Sequence, residues 1–148
     1  MLLNSTSVVP YKMLRISKLA DYALGIVVIM IKNPDLSLST TKISSISGLT
    51  LPTVRKVLKL LTNSNILQSV RGAHGGYRFL RDVEKLSILD VVEAVDGSIA
   101  LTDCISFKNG IGNNSQKCIS SCILSSRWGH INQVIRDTLN NFKVVKLT

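Results

Sequence analysis

Between Ser17 and Asn33 apolar side chains return every three or four positions, at Leu19, Tyr22, Ala23, Ile26, Val27, Met30 and Ile31. That period belongs to a helix with one buried face, opened by a Ser17 cap and stopped at Asn33-Pro34. Thr40 or Thr41 can cap a short second helix through Ile43 and Ile46 that ends at Gly48, and Thr50 can open a third with Pro52 in its first turn. The third carries Val54, Val57, Leu58 and Leu61 on one stripe and leaves Thr53, Arg55, Lys56, Lys59 and Asn63 around the other side. A short helix, a tight turn, and a second helix that is apolar behind and cationic in front predict a helix-turn-helix, whose second helix enters a DNA major groove.

The period then shortens. Ile66 to Val70 and Tyr77 to Leu80 read as two strands joined by Arg71-Gly72-Ala73-His74-Gly75-Gly76, a hairpin wing whose glycines permit a narrow tip. Arg71 and Arg78 give the wing the charge to lie along phosphates or to reach into a minor groove. His74 could touch a phosphate as well, although a turn residue with a solvated ring is the favoured reading. These glycines match neither the Walker pattern nor a dinucleotide fingerprint, so no ATPase is implied.

Ser87 with Asp90 predicts a capping box for a helix with Ile88, Val91, Val92 and Val95 inward, ended by Asp96-Gly97. Ser106 to Lys117 is almost devoid of apolar residues and reads as a loop. A last helix is signalled by Trp128, Ile131, Ile135, Leu139 and Phe142, with Asn132, Arg136 and Lys143 turned away. That stripe has little chain left to cover it, which suggests pairing with a second copy; packing back on the first helix is the alternative. The expected fold is therefore mainly α, a winged helix-turn-helix with a two-stranded β wing and a long C-terminal dimerisation helix. Residues 1–12, without periodicity, are expected to be a disordered tail or a misassigned start. Residues 13–83 form the expected DNA-binding region, 84–126 a connecting helix and cysteine-bearing loop, and 127–148 the dimerisation helix.

Charge sharpens this reading. Of 18 basic and 9 acidic residues in 148, the stretch up to Val83 holds 11 basic and 3 acidic, while the remainder is nearly balanced. The first half is built to meet an anion, and a polyanion is the economical partner because each neutralised phosphate releases condensed counterions. The longest apolar run, Tyr22 to Ile31, is about half of what a bilayer crossing needs. The N-terminus lacks the pattern of a signal peptide, so a cytoplasmic protein with no membrane partner is expected.

Cys104, Cys118 and Cys122 have 13 and 3 residues between them. Such thiols suit zinc or an iron-sulfur cluster rather than calcium or magnesium, but the spacing alone leaves free thiols and metal ligation equally open. The polar loop between the first two favours ligation, since clamping its ends on a metal supplies a reason to order. Catalysis is not expected: there are two histidines, no Cys-x-x-Cys pair and no Ser, His and Asp pattern.

The stretches Leu14-Arg15-Ile16-Ser17-Lys18-Leu19-Ala20-Asp21-Tyr22-Ala23, Leu51-Pro52-Thr53-Val54-Arg55-Lys56-Val57-Leu58, Ser69-Val70-Arg71-Gly72-Ala73-His74-Gly75-Gly76-Tyr77 and Cys122-x5-Trp128 together resemble the Rrf family of bacterial transcription regulators. The likeness runs from about Met13 to Leu147, and the wing with Pro52-Thr53-Val54 is most similar to regulators of SUF iron-sulfur assembly operons. The resemblance implies a homodimer that binds double-stranded operator DNA, takes no small-molecule substrate, and holds an iron-sulfur cluster, 2Fe-2S or 4Fe-4S, on its three cysteines. Cluster status would then decide how the protein grips DNA, the expected role being repression of iron-sulfur assembly genes. By motif position Arg71 resembles the family's minor-groove arginine, and Pro52, Arg55 and Lys56 fall where its recognition helix meets the major groove.

The chain departs from the family in its ligands. Better-known members space the three cysteines evenly with five residues between them, and one branch has a histidine where Ser125 stands here. Another branch uses an acid at the position of Asp21, which makes Asp21 the leading fourth ligand, although an acid in a first helical turn is favoured by the macrodipole without any metal. His130 is a further candidate, better read as a solvent-facing or interface residue. A cluster-free regulator sensing oxidants or nitric oxide through the same thiols is the nearest rival, and a winged helix bound to RNA or to protein is a third.

Overall fold

The helices that follow Ser17, Ser39 and Ser87 begin where a hydroxyl meets a free backbone amide. The computed structural model describes residues 16–34, 37–101 and 125–148, for 125 and 126 the backbone alone. The expected tail, the loop 106–117 and all three cysteines lie outside the described residues. The elements are α1 (Lys18–Ile31), α2 (Thr40–Ser47), α3 (Leu51–Asn63), β1 (Leu67–Val70), β2 (Gly76–Phe79), a 3-10 turn (Val83–Lys85), α4 (Ile88–Asp96), α5 (Ser125–Asn141) and a final 3-10 turn (Val144–Leu147).

Ser17 Oγ accepts the Ala20 amide at the head of α1. At α2 the cap is Ser39, one residue before the expected Thr40: its Oγ accepts from Lys42 N–H and bonds Thr41 Oγ1 at 3.0 Å. Gly48, at φ 71°, ends α2 in a left-handed conformation that an L side chain rarely adopts. Thr50 occupies the N-cap of α3 with Pro52 in the first turn, but its hydroxyl meets Thr53 Oγ1 rather than the backbone. At α4 the box expected from Ser87 and Asp90 is present in both directions.

The core is the meeting of the stripes. Ile26 and Val27 of α1, Ile43 of α2, and Val54, Val57, Leu58 and Leu61 of α3 are fully buried together with Val91 of α4. Leu89 is buried on α4 as well, whereas Ile88 and Val95, expected inward, are half-buried. β1 and β2 pair antiparallel with Leu67 opposite Phe79 and Val70 opposite Gly76. A third strand position joins them: Leu38, on the link between α1 and α2, exchanges backbone hydrogen bonds with Tyr77 at 3.1 and 2.9 Å. A one-residue bridge has no periodicity, so the sequence pattern could not announce it.

The last helix corrects the sequence reading. α5 packs on α4, while α1 meets the final turn Val144–Leu147. Asn132, expected to face outward, is buried at 5% exposure, and Arg136 is ion-paired to Glu93. Just past the helix the backbone of Lys143 bridges Ser87: Ile88 N–H donates to Phe142 O at 2.9 Å and Val144 N–H to Leu86 O at 3.0 Å. The physical reason is that the inward side of α5 faces backbone polar groups, which a carboxamide satisfies and an apolar side chain does not. Ile135 and Leu139 are half-buried beside this face, and Trp128, Ile131, Val134 and Phe142 remain exposed. Among the described residues no helix is long and apolar enough to cross a membrane.

Candidate nucleic-acid interface

The face of α3 opposite its buried stripe is cationic. Arg55, Lys56 and Lys59 are exposed, Pro52 is exposed ahead of them, and Thr53 is half-buried with its hydroxyl on Thr50. Among the described residues none of the three cations is in an ion pair, whereas Arg81 is taken up by Asp90 at 3.4 Å and Ser64 O at 3.5 Å. Unpaired cations held on a rigid helix are available to phosphates and base edges.

The wing carries the second group. Arg71 and His74 are exposed at its turn, and Arg78 is exposed on β2 across from Gln68 of β1. The turn closes through Gly75 N–H to Gly72 O at 2.9 Å. His74, Ala73 and Gly75 share one groove with Ser37, Ser39 and Lys42, so the wing tip and the head of α2 sit side by side. Lys42 is therefore a cation of this surface that sequence reasoning missed. Its signal was weak: a lone lysine on a short helix becomes part of a basic surface only through the Leu38–Tyr77 bridge.

Gly76 makes that juxtaposition possible. A Cβ added there would lie 2.5 Å from Leu38 O and 2.9 Å from Ser39 N, both backbone atoms that cannot step aside. Gly76→Ala is accordingly expected to lose roughly 1 to 3 kcal/mol of stability by overpacking. It should also weaken binding to duplex DNA by detaching the wing from α2. Urea denaturation checks the first effect and a fluorescence-anisotropy titration with duplex DNA the second.

Asp21 is exposed in the first turn of α1, on an open apolar groove that includes Tyr22, Ile46, Leu49 and Leu147. Cys104, Cys118 and Cys122 lie outside the described residues. Among the described residues no group of three His, Cys, Asp or Glu side chains could hold a metal. The donor chemistry fits an iron-sulfur cluster all the same: three soft thiolates within one short segment, with a hard carboxylate available elsewhere. His130 is exposed on α5.

A helical head with a capped helix-turn-helix, a short antiparallel wing and a cationic second helix defines a winged-helix DNA-binding regulator. The Rrf2 family profile, described as an iron-dependent transcriptional regulator, matches residues 16–148, and the chain belongs to that family. It is a family of transcription regulators, not of enzymes. The chain is 32% identical over 105 residues to the HTH-type transcriptional regulator IscR of Vibrio cholerae, covering 71% of this chain and 57% of that protein. The match therefore spans less than two thirds of that relative's length. It is 26% identical over 129 residues to Protein aau3 of Rhizobium meliloti, covering 87% of this chain and 77% of that one. Among solved structures, CymR (YrzC), the global cysteine regulator of B. subtilis, superposes with a TM-score of 0.70 at 20% identity over 91% of this chain and 96% of its own. T. potens IscR superposes at 0.64 and 18% identity over 90% and 85%. These two likenesses show the fold.

Proposed function

We propose that this chain is an iron-sulfur-sensing transcription regulator of the cytoplasm that binds double-stranded operator DNA as a homodimer and represses iron-sulfur assembly genes. The observation that carries the DNA part is the exposed Arg55, Lys56 and Lys59 face on a helix whose other side is locked in the core. α3 would enter the major groove, with Thr53, Arg55 and Lys56 toward base edges and Lys59 on a phosphate. The wing would follow the backbone, Arg71 reaching the minor groove while His74 and Arg78 meet phosphates. Residues 13–83 would thus be the reading head, 84–126 the connecting and sensing segment, and 127–148 the pairing helix. Support for pairing comes from the exposed apolar stripe of Trp128, Ile131 and Val134, continued by Phe142, because two-fold readers of DNA need a self-complementary surface.

Cys104, Cys118 and Cys122 would hold the cluster, 2Fe-2S or 4Fe-4S, with Asp21 completing the ligands. A bound cluster supplies a centre that responds to iron, oxygen and nitric oxide. Its support is the density of thiols and the likeness to IscR of Vibrio cholerae. The uneven spacing of the cysteines favours a second reading, a cluster-free regulator that senses oxidants or nitric oxide on the thiols themselves.

Anaerobic reconstitution with iron and sulfide separates the two. The expected product is coloured, with visible charge-transfer absorption that fades in air and with iron and sulfide in stoichiometric amounts. A colourless, iron-free product overturns the cluster and leaves the thiol reading.

A further inference from the structure

Asn132 is the most deeply buried polar side chain described on α5, and neither its helix nor the basic surface explains why. Its carboxamide acts as a surrogate strand: Nδ2–H donates to Ile99 O at 3.2 Å and Oδ1 accepts from Leu101 N–H at 3.2 Å. One turn further on, both terminal guanidinium nitrogens of Arg136 meet the Glu93 carboxylate of α4, and Nη1 also reaches Ser98 Oγ at 3.3 Å. Glu93 Oε1 in turn accepts Ile99 N–H at 3.1 Å. The backbone from Ser98 to Leu101, which leads into the segment bearing Cys104, is thus held from α4 and from α5 at once. Removing the carboxamide would leave a partly buried carbonyl and amide without partners, and such groups are expensive to orphan.

The hold leads onward to the DNA-reading helix. Glu93 lies on α4, whose Leu89, Val91 and Val92 are buried and which packs against both α1 and α3. The far end of α4 is fixed as well: Asp96 accepts from Ser17 N–H at 3.2 Å and from Ser17 Oγ at 2.5 Å, tying α4 to the cap of α1. A change in the path of residues 98–101 therefore has a rigid, hydrogen-bonded route into the base of the reading head.

We propose that Asn132, supported by the Glu93–Arg136 pair, is a positioning residue that couples the state of the cysteine segment to the recognition helix. The inference rests on the proposed function for what the segment senses, and on the hydrogen bonds for how the signal travels. Coupling of this kind between two sites is typically worth about 5-fold to 150-fold in affinity.

The test uses full-length protein as wild type, Asn132→Ala and Asn132→Asp, the last keeping the acceptor for Leu101 N–H while losing the donor to Ile99 O. Operator affinity is measured for each, reconstituted and cluster-free. The expected result is that Asn132→Ala abolishes the affinity ratio between the two states, with iron content, visible spectrum and cluster-free affinity as in wild type; Asn132→Asp falls between. A ratio equal to wild type in Asn132→Ala overturns the coupling. A wild type that shows no ratio is a failure of the proposed function instead. Amide hydrogen exchange on cluster-free protein then decides the coupling. Exchange in α4 and α3 of the Asn132 variants should quicken on the order of tenfold while β1 and β2 stay unchanged. Quickening confined to Ile99 and Leu101, or spread equally over the molecule, overturns it.

Discussion

Glutamate at positions 55 and 56 together, Arg55→Glu with Lys56→Glu, is expected to remove operator binding almost entirely. Each cation contributes about 1 to 3 kcal/mol if it meets a base edge, so the pair accounts for roughly 30-fold to 20,000-fold in affinity before the new repulsion is added. Lys59→Ala, which removes the cation placed on a phosphate, should instead flatten the dependence of log affinity on log salt by about one. The side chains of Arg55 and Lys56 are exposed and unpaired among the described residues, so the fold should barely register their change. Anisotropy titrations at two salt concentrations, with circular dichroism as the control for folding, check this. Unchanged affinity in a folded variant would remove α3 from the interface.

Leu61→Ala carries the largest expected loss of stability. Leu61 is fully buried on the core side of α3, where the stripes of α1, α2 and α3 meet. Cutting a buried leucine to alanine costs about 2 to 5 kcal/mol, transfer and cavity together. For a domain of this size that corresponds to roughly 4 to 20 °C in Tm. Leu80 is the internal control: it is 50% exposed beside β2, and Leu80→Ala should stay within about 0.5 kcal/mol of wild type. Differential scanning calorimetry distinguishes them, and equal losses would mean that α3 is not seated as described.

What the sequence declared was whatever is local. The Ser17 cap, the glycine at position 48 and the Ser87–Asp90 box each depend on residues within four positions of one another, and each stands where the pattern put it. The cationic side of α3 was equally legible, because it is the complement of a four-residue apolar stripe. What stayed hidden depends on distant partners. The Leu38–Tyr77 bridge joins positions 39 residues apart and brings Lys42 beside the wing. Asn132 reads as a surface residue from its polarity, yet it satisfies backbone 31 and 33 residues away. Val144 is buried completely in the core although it follows the last helical stripe. Periodicity sorts side chains by water affinity and is blind to a polar group whose partner comes from another element.

Operator affinity with and without iron decides whether a metal centre on the three cysteines governs the grip on DNA. Wild-type protein and the triple variant Cys104→Ser, Cys118→Ser, Cys122→Ser are each titrated with operator DNA under anaerobic conditions, once after iron-sulfur reconstitution and once after chelation. The expected wild-type affinity ratio between the two states is about 5-fold to 150-fold, with no ratio in the triple variant. Equal affinities for wild type in both states, or an undiminished ratio in the variant, would contradict control by that centre.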